Sequence, residues 1–406
     1  MPDMATIHQS SKNNDTADLG YFASTEVEDD ELEENVEDWS RYYKKKTSRL
    51  FYPICVGDVL DKRYCIEHKL GHGGFATVWL AYDIQNKQNV ALKILAAGEG
   101  EHEIQMHEEI LQSVQDTSRL VTCLATFSLP GDNNCNHQVL VLPWRGGCLD
   151  DLRIKKMSMT ARMSAAKQLL EALESLHKAG IVHRDLKDGN CFWGVVPLDD
   201  LSRRAKYQAL GRPLKQVIWV EELWKPGEFV RPLAIPDDLR TDTFYLGDFG
   251  LAMKLGSSGA VIPDGRPPMQ FCSPDRLHNK GPSIACDMWS YMCIFAELYL
   301  GHPIFSSFGT THNMVGLLGP LPEEWKGDYL PPENSLDLWY DQDKKPSPSV
   351  NLHARIARAR PDIDPIERDL VYSVMARGFN YSPEKRLTAT QLLQDPSFKA
   401  LLDRYC

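Results

Sequence analysis

The chain has 406 residues, 43% of them hydrophobic, which is enough for one large or two ordinary domains with a substantial core. Its net charge of −11 sits in residues 1–38, which hold twelve acidic residues and one basic residue, Lys12. The other 44 acidic and 44 basic residues cancel, and a neutral body argues against a general nucleic-acid binder. The ten cysteines run from Cys55 to Cys406 without a Cys-x-x-Cys pair, so neither a zinc site nor a redox motif is indicated. A reduced compartment, cytoplasm or nucleus, is the expected setting. The start, Met1-Pro2-Asp3-Met4, is too polar for a signal peptide.

In chain order, residues 1–38 lack periodicity and are expected to form a disordered acidic arm, with contact to a basic partner as the second reading. Order is expected from Trp39, with a lead-in to residue 63. Strands are predicted at Tyr64–Leu70, Thr77–Tyr82 and Val90–Leu95, a helix over 102–115, and strands at Val121–Leu129 and Gln138–Pro143. The pattern changes after Arg145-Gly146-Gly147. Met163, Ala166, Leu169, Leu170, Leu173 and Leu176 follow helical spacing and predict a long amphipathic helix over 160–179. Further helices are expected around 285–300, 365–378 and 388–403. The apolar stretch Met288–Leu300 is interrupted by Glu297 and reads as a buried core helix, not a membrane span. Two insertions, 194–243 and 320–352, interrupt this helical part. The first contains Trp219 and Trp224 and is expected to pack on the helical lobe. The second is rich in Pro, Asp, Glu and Trp and reads as a surface loop.

Four motifs carry chemistry. The first is Leu70-Gly71-His72-Gly73-Gly74-Phe75-Ala76-Thr77-Val78, between two predicted strands. Glycines there let a backbone approach phosphates, although an ordinary hairpin explains the turn as well when it is taken alone. A dinucleotide-binding turn is disfavoured because a strand follows, not a helix. The second is Val90-Ala91-Leu92-Lys93, where a lysine among apolar residues can reach phosphates if a carboxylate orients it. Glu109 on the following helix is the preferred carboxylate, with Glu108 as competitor; a surface lysine is the default for this segment alone. The third is His183-Arg184-Asp185-Leu186-Lys187-Asp188-Gly189-Asn190, and the fourth is Asp248-Phe249-Gly250. The third is highly specific.

Together and in this order, the motifs resemble the eukaryotic protein-kinase superfamily over residues 60–403. The resemblance implies an α+β, bilobal kinase fold: a small β-rich lobe with one helix (64–143), a hinge (144–147) and a larger, mainly helical lobe (148–403). It implies ATP and Mg2+ as cofactors. Asp185 would orient the substrate hydroxyl and accept its proton, and Lys187 would neutralise the transferred phosphoryl group. Asn190 and Asp248 would hold metal, and Phe249 would pack beneath the helix bearing Glu109. Val78, Ala91 and Phe192 would enclose the adenine, with Leu142 as gatekeeper and Pro143–Arg145 as hinge. Asp275 of Ser273-Pro274-Asp275 would pair with Arg386.

Asp185-Leu186-Lys187 implies serine/threonine specificity. Tyr52-Pro53-Ile54-Cys55-Val56-Gly57-Asp58, the glycine turn, and the 58 positions from Asn190 to Asp248 resemble a compact fungal relative of the SR-protein kinases. That group implies protein substrates rich in Arg and Ser, a monomer, and no direct binding of nucleic acid or membrane. Activity would not require phosphorylation of the activation segment, where Ser257 and Ser258 are the candidate sites. Three departures stand against the closer match: Phe249 for leucine, Arg184 for threonine, and Cys272 where the group has an arginine that shapes the pocket beyond the target residue. The last puts Arg-Ser specificity in doubt. The competing readings are a pseudokinase scaffold that binds without transfer, which the full set of catalytic residues disfavours, and a small-molecule kinase.

Overall fold

The computed structural model describes residues 18–22, 37–256, 265–330 and 335–405. The strands are β1 (Tyr21–Phe22), β2 (Val59–Leu60), β3 (Tyr64–His72), β4 (Ala76–Asp83), β5 (Gln88–Leu95), β6 (Ala125–Pro130), β7 (Asn136–Pro143), β8 (Ile181–Val182), β9 (Cys191–Val195), β10 (Leu214–Val217), β11 (Glu228–Val230), β12 (Arg240–Leu246) and β13 (Met253–Lys254). The helices used below are α1 (Glu101–Ser113), α2 (Asp151–Lys156), α3 (Met159–Lys178), α4 (Arg203–Leu210), α5 (Pro274–Leu277) and α6 (Ile284–Leu300). The chain divides into two compact units. One takes residues up to Glu101 with Cys123–Arg145 and Val195–Arg240; the other takes His102–Thr122, Gly146–Gly194 and Thr241 onward.

The first unit is built on a six-stranded sheet in the order β2-β3-β4-β5-β7-β6. Antiparallel pairing sets Lys93 opposite Val78 on one side and Leu140 on the other, and Ala91 opposite Leu142. Val78, Ala91 and Lys93 therefore share one face, because paired residues, and residues two apart on a strand, point the same way. Isoleucine, valine and tryptophan on the other positions fill a core of Ile66, Trp79, Val90, Leu92, Ile94, Val139 and Val141.

The insertion 194–243, expected in the helical lobe, belongs mostly to this strand-rich unit. It supplies α4, β10 and β11 and is anchored at both ends and through its middle. Lys206 of α4 meets Glu67 of β3 at 2.5 Å, with both side chains nearly out of water. The Asn89 backbone N–H donates to Asp199 at 2.6 Å, and the Glu228 backbone N–H donates to the Ile54 carbonyl at 2.8 Å. The acidic arm is also ordered in part. Tyr21–Phe22 pairs in parallel with Leu214–Lys215, and Arg212 binds Asp18 at 2.7 Å. Apart from Glu37 and Asp38, the rest of the arm lies outside the described residues.

The second unit is organised around α6. Cys286 to Leu300 is buried throughout, as expected of a helix apolar on all sides. It ends where Gly301 takes φ 79°, a left-handed conformation that favours glycine. α3 packs beside it through Met163, Ala166, Leu170 and Leu173; its first turn is capped by the Ser158 side chain, which accepts from the Ala161 N–H, and His177 and Lys178 close its last turn. α1, expected in the small lobe, joins this core through Met106, Ile110 and Val114, its apolar stripe. The predicted helix over 388–403 is two helices, Ala389–Gln394 and Pro396–Leu402, because Pro396 cannot continue the first. Insertion 320–352 is more than a surface loop: Trp325, Tyr329 and Tyr340 pack around the buried His278, while Glu323, Glu324, Asp328, Asp341 and Asp343 stay exposed.

Candidate active site

In the strand-rich unit, β3 and β4 meet at a turn closed by the Gly73 N–H donating to the Ala76 carbonyl at 2.9 Å. A Cβ added at Gly71, Gly73 or Gly74 would meet nothing within 4 Å. Packing therefore does not require glycine there. His72, Gly73, Gly74 and Phe75 are exposed, whereas Ala76 and Thr77 are buried in the sheet. Leu70, Val78 and Lys93 are half-buried, and Ala91 is buried.

In the helical unit, the segment from His183 to Asn190 is clamped from below by one carboxylate. Asp287, in the first turn of α6, accepts the backbone N–H of His183 at 2.7 Å and that of Arg184 at 2.9 Å, and lies 3.1 Å from His177 Nε2. The clamp holds Arg184 at φ 69°, an uncommon angle for a residue with a side chain, so the next residue, Asp185, is fixed by the fold and not by local preference. Lys187 Nζ donates to Asp185 Oδ2 at 2.6 Å. Asn190 Nδ2 donates to the Asp185 carbonyl at 2.8 Å and to Oδ2 at 3.0 Å. Among the described residues no hydrogen bond reaches Asp185 Oδ1, which leaves it as the oxygen able to accept a proton.

The same segment fixes Asp248. Gly247 donates its N–H to the Asn190 carbonyl at 3.0 Å, and its carbonyl lies 3.1 Å from His183 Nε2. Asp248 itself takes φ 65°. Phe192 lies under Gly247: its ring edge would be 3.1 Å from a Cβ there. Phe249 is fully buried between the rings of His107 on α1, at 5.4 Å, and His183, at 5.5 Å. Beyond it, Arg184 donates to the Leu251 carbonyl at 3.0 Å and Gly265 carbonyl at 3.5 Å.

Asn190 and Asp248 fit a hard cation. The Asn190 amide nitrogen is committed to Asp185, so its oxygen faces away and accepts no hydrogen bond among the described residues. An amide oxygen and a carboxylate form a partial set that suits a cation completed by phosphates and water. No group of three or more His, Cys, Asp or Glu side chains able to hold a metal alone occurs among the described residues.

Glu109 lies on α1, as expected. It pairs with Lys254 of β13 at 2.8 Å and remains about a third exposed, and that lysine holds its carboxyl below the usual range. Glu103, six residues earlier, is the buried carboxylate of α1, and its Oε2 would sit 3.3 Å from a Cβ on Gly250. The helical stripe explains the difference: Glu103, Met106, His107 and Ile110 share the buried face, and Glu109 turns off it.

Sequence reading also missed two other residues. Asp287 falls in the helix expected around 285–300, but nothing in the sequence marks it as the clamp of the loop. Glu297 was noted only as a break in an apolar run; it is 1% exposed, and neither of its carboxylate oxygens has a partner among the described residues. Burial, then the nearby Asp188 and Asp151, pushes its carboxyl up to about 8.

Known proteins are similar to this chain over most of its length. The family profile described as protein kinase domain matches residues 64–196 and 237–398, and it skips the stretch that carries α4, β10 and β11. The probable serine/threonine-protein kinase clkA of Dictyostelium discoideum is 24% identical over 375 residues, 88% of this chain. This chain spans only 38% of that protein's length. The serine/threonine-protein kinase SRPK of Physarum polycephalum is 25% identical over 383 residues, covering 85% of this chain and 88% of that one. A solved kinase domain at 21% identity has the same fold, with a TM-score of 0.58 over 86% of this chain.

Proposed function

The chain belongs to the protein kinase domain family, and from that premise we propose that it is a serine/threonine protein kinase that transfers the γ-phosphoryl group of ATP to protein hydroxyls. The family uses ATP with a divalent metal; we propose magnesium, held by Asn190 and Asp248. The observation that carries the reading is the state of Asp185. One of its carboxylate oxygens is tied to Lys187 and Asn190 and the other is open.

The nucleotide and cation supply the transferable phosphoryl group and neutralise its charge. What this chain supplies is placement and a proton acceptor. A serine or threonine hydroxyl gives its proton to Asp185 Oδ1 as its oxygen bonds to the γ-phosphorus. The bond from phosphorus to the bridging oxygen breaks, and ADP leaves. The Lys187 ammonium, held at Asp185 Oδ2, would offset the negative charge on the transferred group. The glycine turn, with Leu70, Val78, Ala91 and Lys93 on the strand-rich unit, is assigned to the nucleotide, as is Phe192. Of the acidic residues on α1, we propose a catalytic role for Glu103 in place of Glu109, because it is the buried one. The test is a radiometric assay with ATP, magnesium and a peptide library, on the wild-type chain and Asp185→Asn. Wild-type transfer to serine and threonine, lowered about 100-fold or more in the variant with ATP still bound, is the expected result. A wild type that binds ATP without transfer would make the protein a scaffold.

Among protein substrates we propose peptides bearing arginine near the target. Glu297 supports this, because a buried carboxyl that keeps its proton for want of a counter-charge would ionise beside a guanidinium. Asp188, in the same loop as Asp185, has its carboxyl raised by burial and adds negative charge beside it. Glu323 and Glu324 stand exposed on a short turn anchored by the buried Trp325 and offer a second docking point. Cys272 supplies no charge at the position that follows the target. Glu297→Gln is expected to raise the Michaelis constant for an arginine-containing peptide and leave that for a neutral peptide unchanged; equal effects would remove the arginine preference.

A further inference from the structure

One residue at the base of the glycine turn is held by two parts of the chain that the kinase profile does not include. Lys69 lies in β3 opposite Trp79, and the register slips between Lys69 and Gly71, so Leu70 is the extra residue of a bulge. Bulges re-aim the side chains and backbone beyond them, here Leu70 and the glycines. The Lys69 side chain is buried, and its ammonium forms an ion pair with the equally buried Glu37, ahead of the domain. The same Glu37 oxygen accepts the Tyr42 hydroxyl at 2.7 Å. Lys69 Nζ lies 5.2 Å from the Trp79 ring, and Trp79 donates to the Thr77 hydroxyl at 3.0 Å. The Lys69 carbonyl accepts the N–H of Leu233, from the insertion, at 2.8 Å.

The two holding segments are also joined to each other. The Tyr42 ring meets Phe51 at 5.9 Å and Phe229 of β11 at 5.7 Å, each edge to face, and Ile218 of the insertion completes that small core. An ammonium buried this deeply persists only with its counter-charge in place. The segment around Glu37 is thus part of what holds β3 at the bulge.

We propose that Glu37 and Lys69 form a positioning pair for nucleotide binding, with Leu233 holding the same residue by its backbone, so that the segment before the domain and the insertion together set the place of the glycine turn. This rests on the reading of that turn as the nucleotide site. The pair touches no substrate and acts through the turn.

The experiment uses the full chain and measures ADP and ATP affinity by calorimetry, the Michaelis constants for ATP and peptide, and thermal melting. Glu37→Gln should weaken nucleotide binding about tenfold and raise the ATP Michaelis constant in parallel, at a temperature where melting shows the variant folded. The peptide constant should stay put. Glu37→Asp, which keeps the charge on a shorter arm, should recover part of the loss. Leu233→Pro, which removes the N–H but spares the ion pair, should raise the ATP constant in the same way and serves where Glu37→Gln does not fold. Wild-type nucleotide affinity in folded Glu37→Gln or Leu233→Pro would overturn the proposal. A wild-type chain that binds no nucleotide would instead overturn the assignment of the turn, and the proposal with it.

Discussion

Asp275 and Arg386, 111 positions apart in the chain, meet at 2.5 Å with side chains 1% and 0% exposed. The guanidinium is otherwise saturated by the carbonyls of Asn380, Ala285 and Tyr381 at 2.7–2.8 Å. Arg386→Ala would strand a buried carboxylate and is expected to cost about 3–5 kcal/mol. Arg386→Lys cannot span the three carbonyls and the carboxylate, so it should recover only part of this. Chemical denaturation of the three proteins at neutral pH checks both; a loss under 1 kcal/mol for Arg386→Ala would show that the pair does not anchor α5.

Glu297 makes stability depend on pH. Its carboxyl is raised to about 8 in the folded chain, so the folded state keeps a proton that the unfolded state releases near 4.5. The folded state therefore binds more protons between those values, and stability falls as pH rises through that window. Glu297→Gln should remove this fall and be the more stable protein at pH 8, by roughly 2–4 kcal/mol. Urea unfolding at pH 5, 7 and 8.5 would reveal it as a loss of slope in the variant; parallel curves would count against a protonated Glu297.

Lys206→Met tests whether the insertion is a structural part of the strand-rich unit. It leaves Glu67 buried beside a more distant Arg203, at 3.8 Å. A loss of about 2–4 kcal/mol is expected. Native protein should also resist proteolysis between 200 and 240, where α4, β10 and β11 are paired and packed. Rapid cutting there with an unchanged melting temperature in Lys206→Met would mark the insertion as a loose spacer.

Arg184 donates to the carbonyls of Leu251 and Gly265, which are unmodified backbone groups. Protein made in bacteria and shown by mass spectrometry to carry no phosphate should therefore phosphorylate peptide, and the double change Ser257→Ala, Ser258→Ala should leave the rate within about twofold. Both serines lie outside the described residues. Activity that appears only after treatment with an upstream kinase would reverse this expectation.

The residues assigned to catalysis were legible because such chemistry tolerates little variation in type or spacing. Asp185, Lys187 and Asn190 of one local motif are joined by hydrogen bonds, and Phe249 packs under α1 as expected. The carboxylate of α1 was not legible. Glu103, Glu108 and Glu109 are one residue type on one helix, and only the packing of Met106 and Ile110 decides which turns inward. The insertion was misplaced for a related reason. Its tryptophans signalled burial, yet Trp219 is 85% exposed, and the anchors are Lys206, Tyr207 and Glu228, polar residues that look like surface until their partners on β3 and the lead-in are known. Long-range pairings such as Glu37 with Lys69 leave no local pattern at all.

The chain enters and leaves the strand-rich unit repeatedly, and its last visit, Val195–Arg240, comes after the segment from His183 to Asn190. The strand-rich unit therefore cannot be cut out as one continuous piece. A fragment ending at Arg145 would carry Glu67 and Lys69 without Lys206 and the Leu233 N–H, exposing a charge pair half made and a strand carbonyl unmet. During synthesis the same is true in time: β3 through β7 emerge well before the segment that completes them, and the unit can close only once residue 240 has been made.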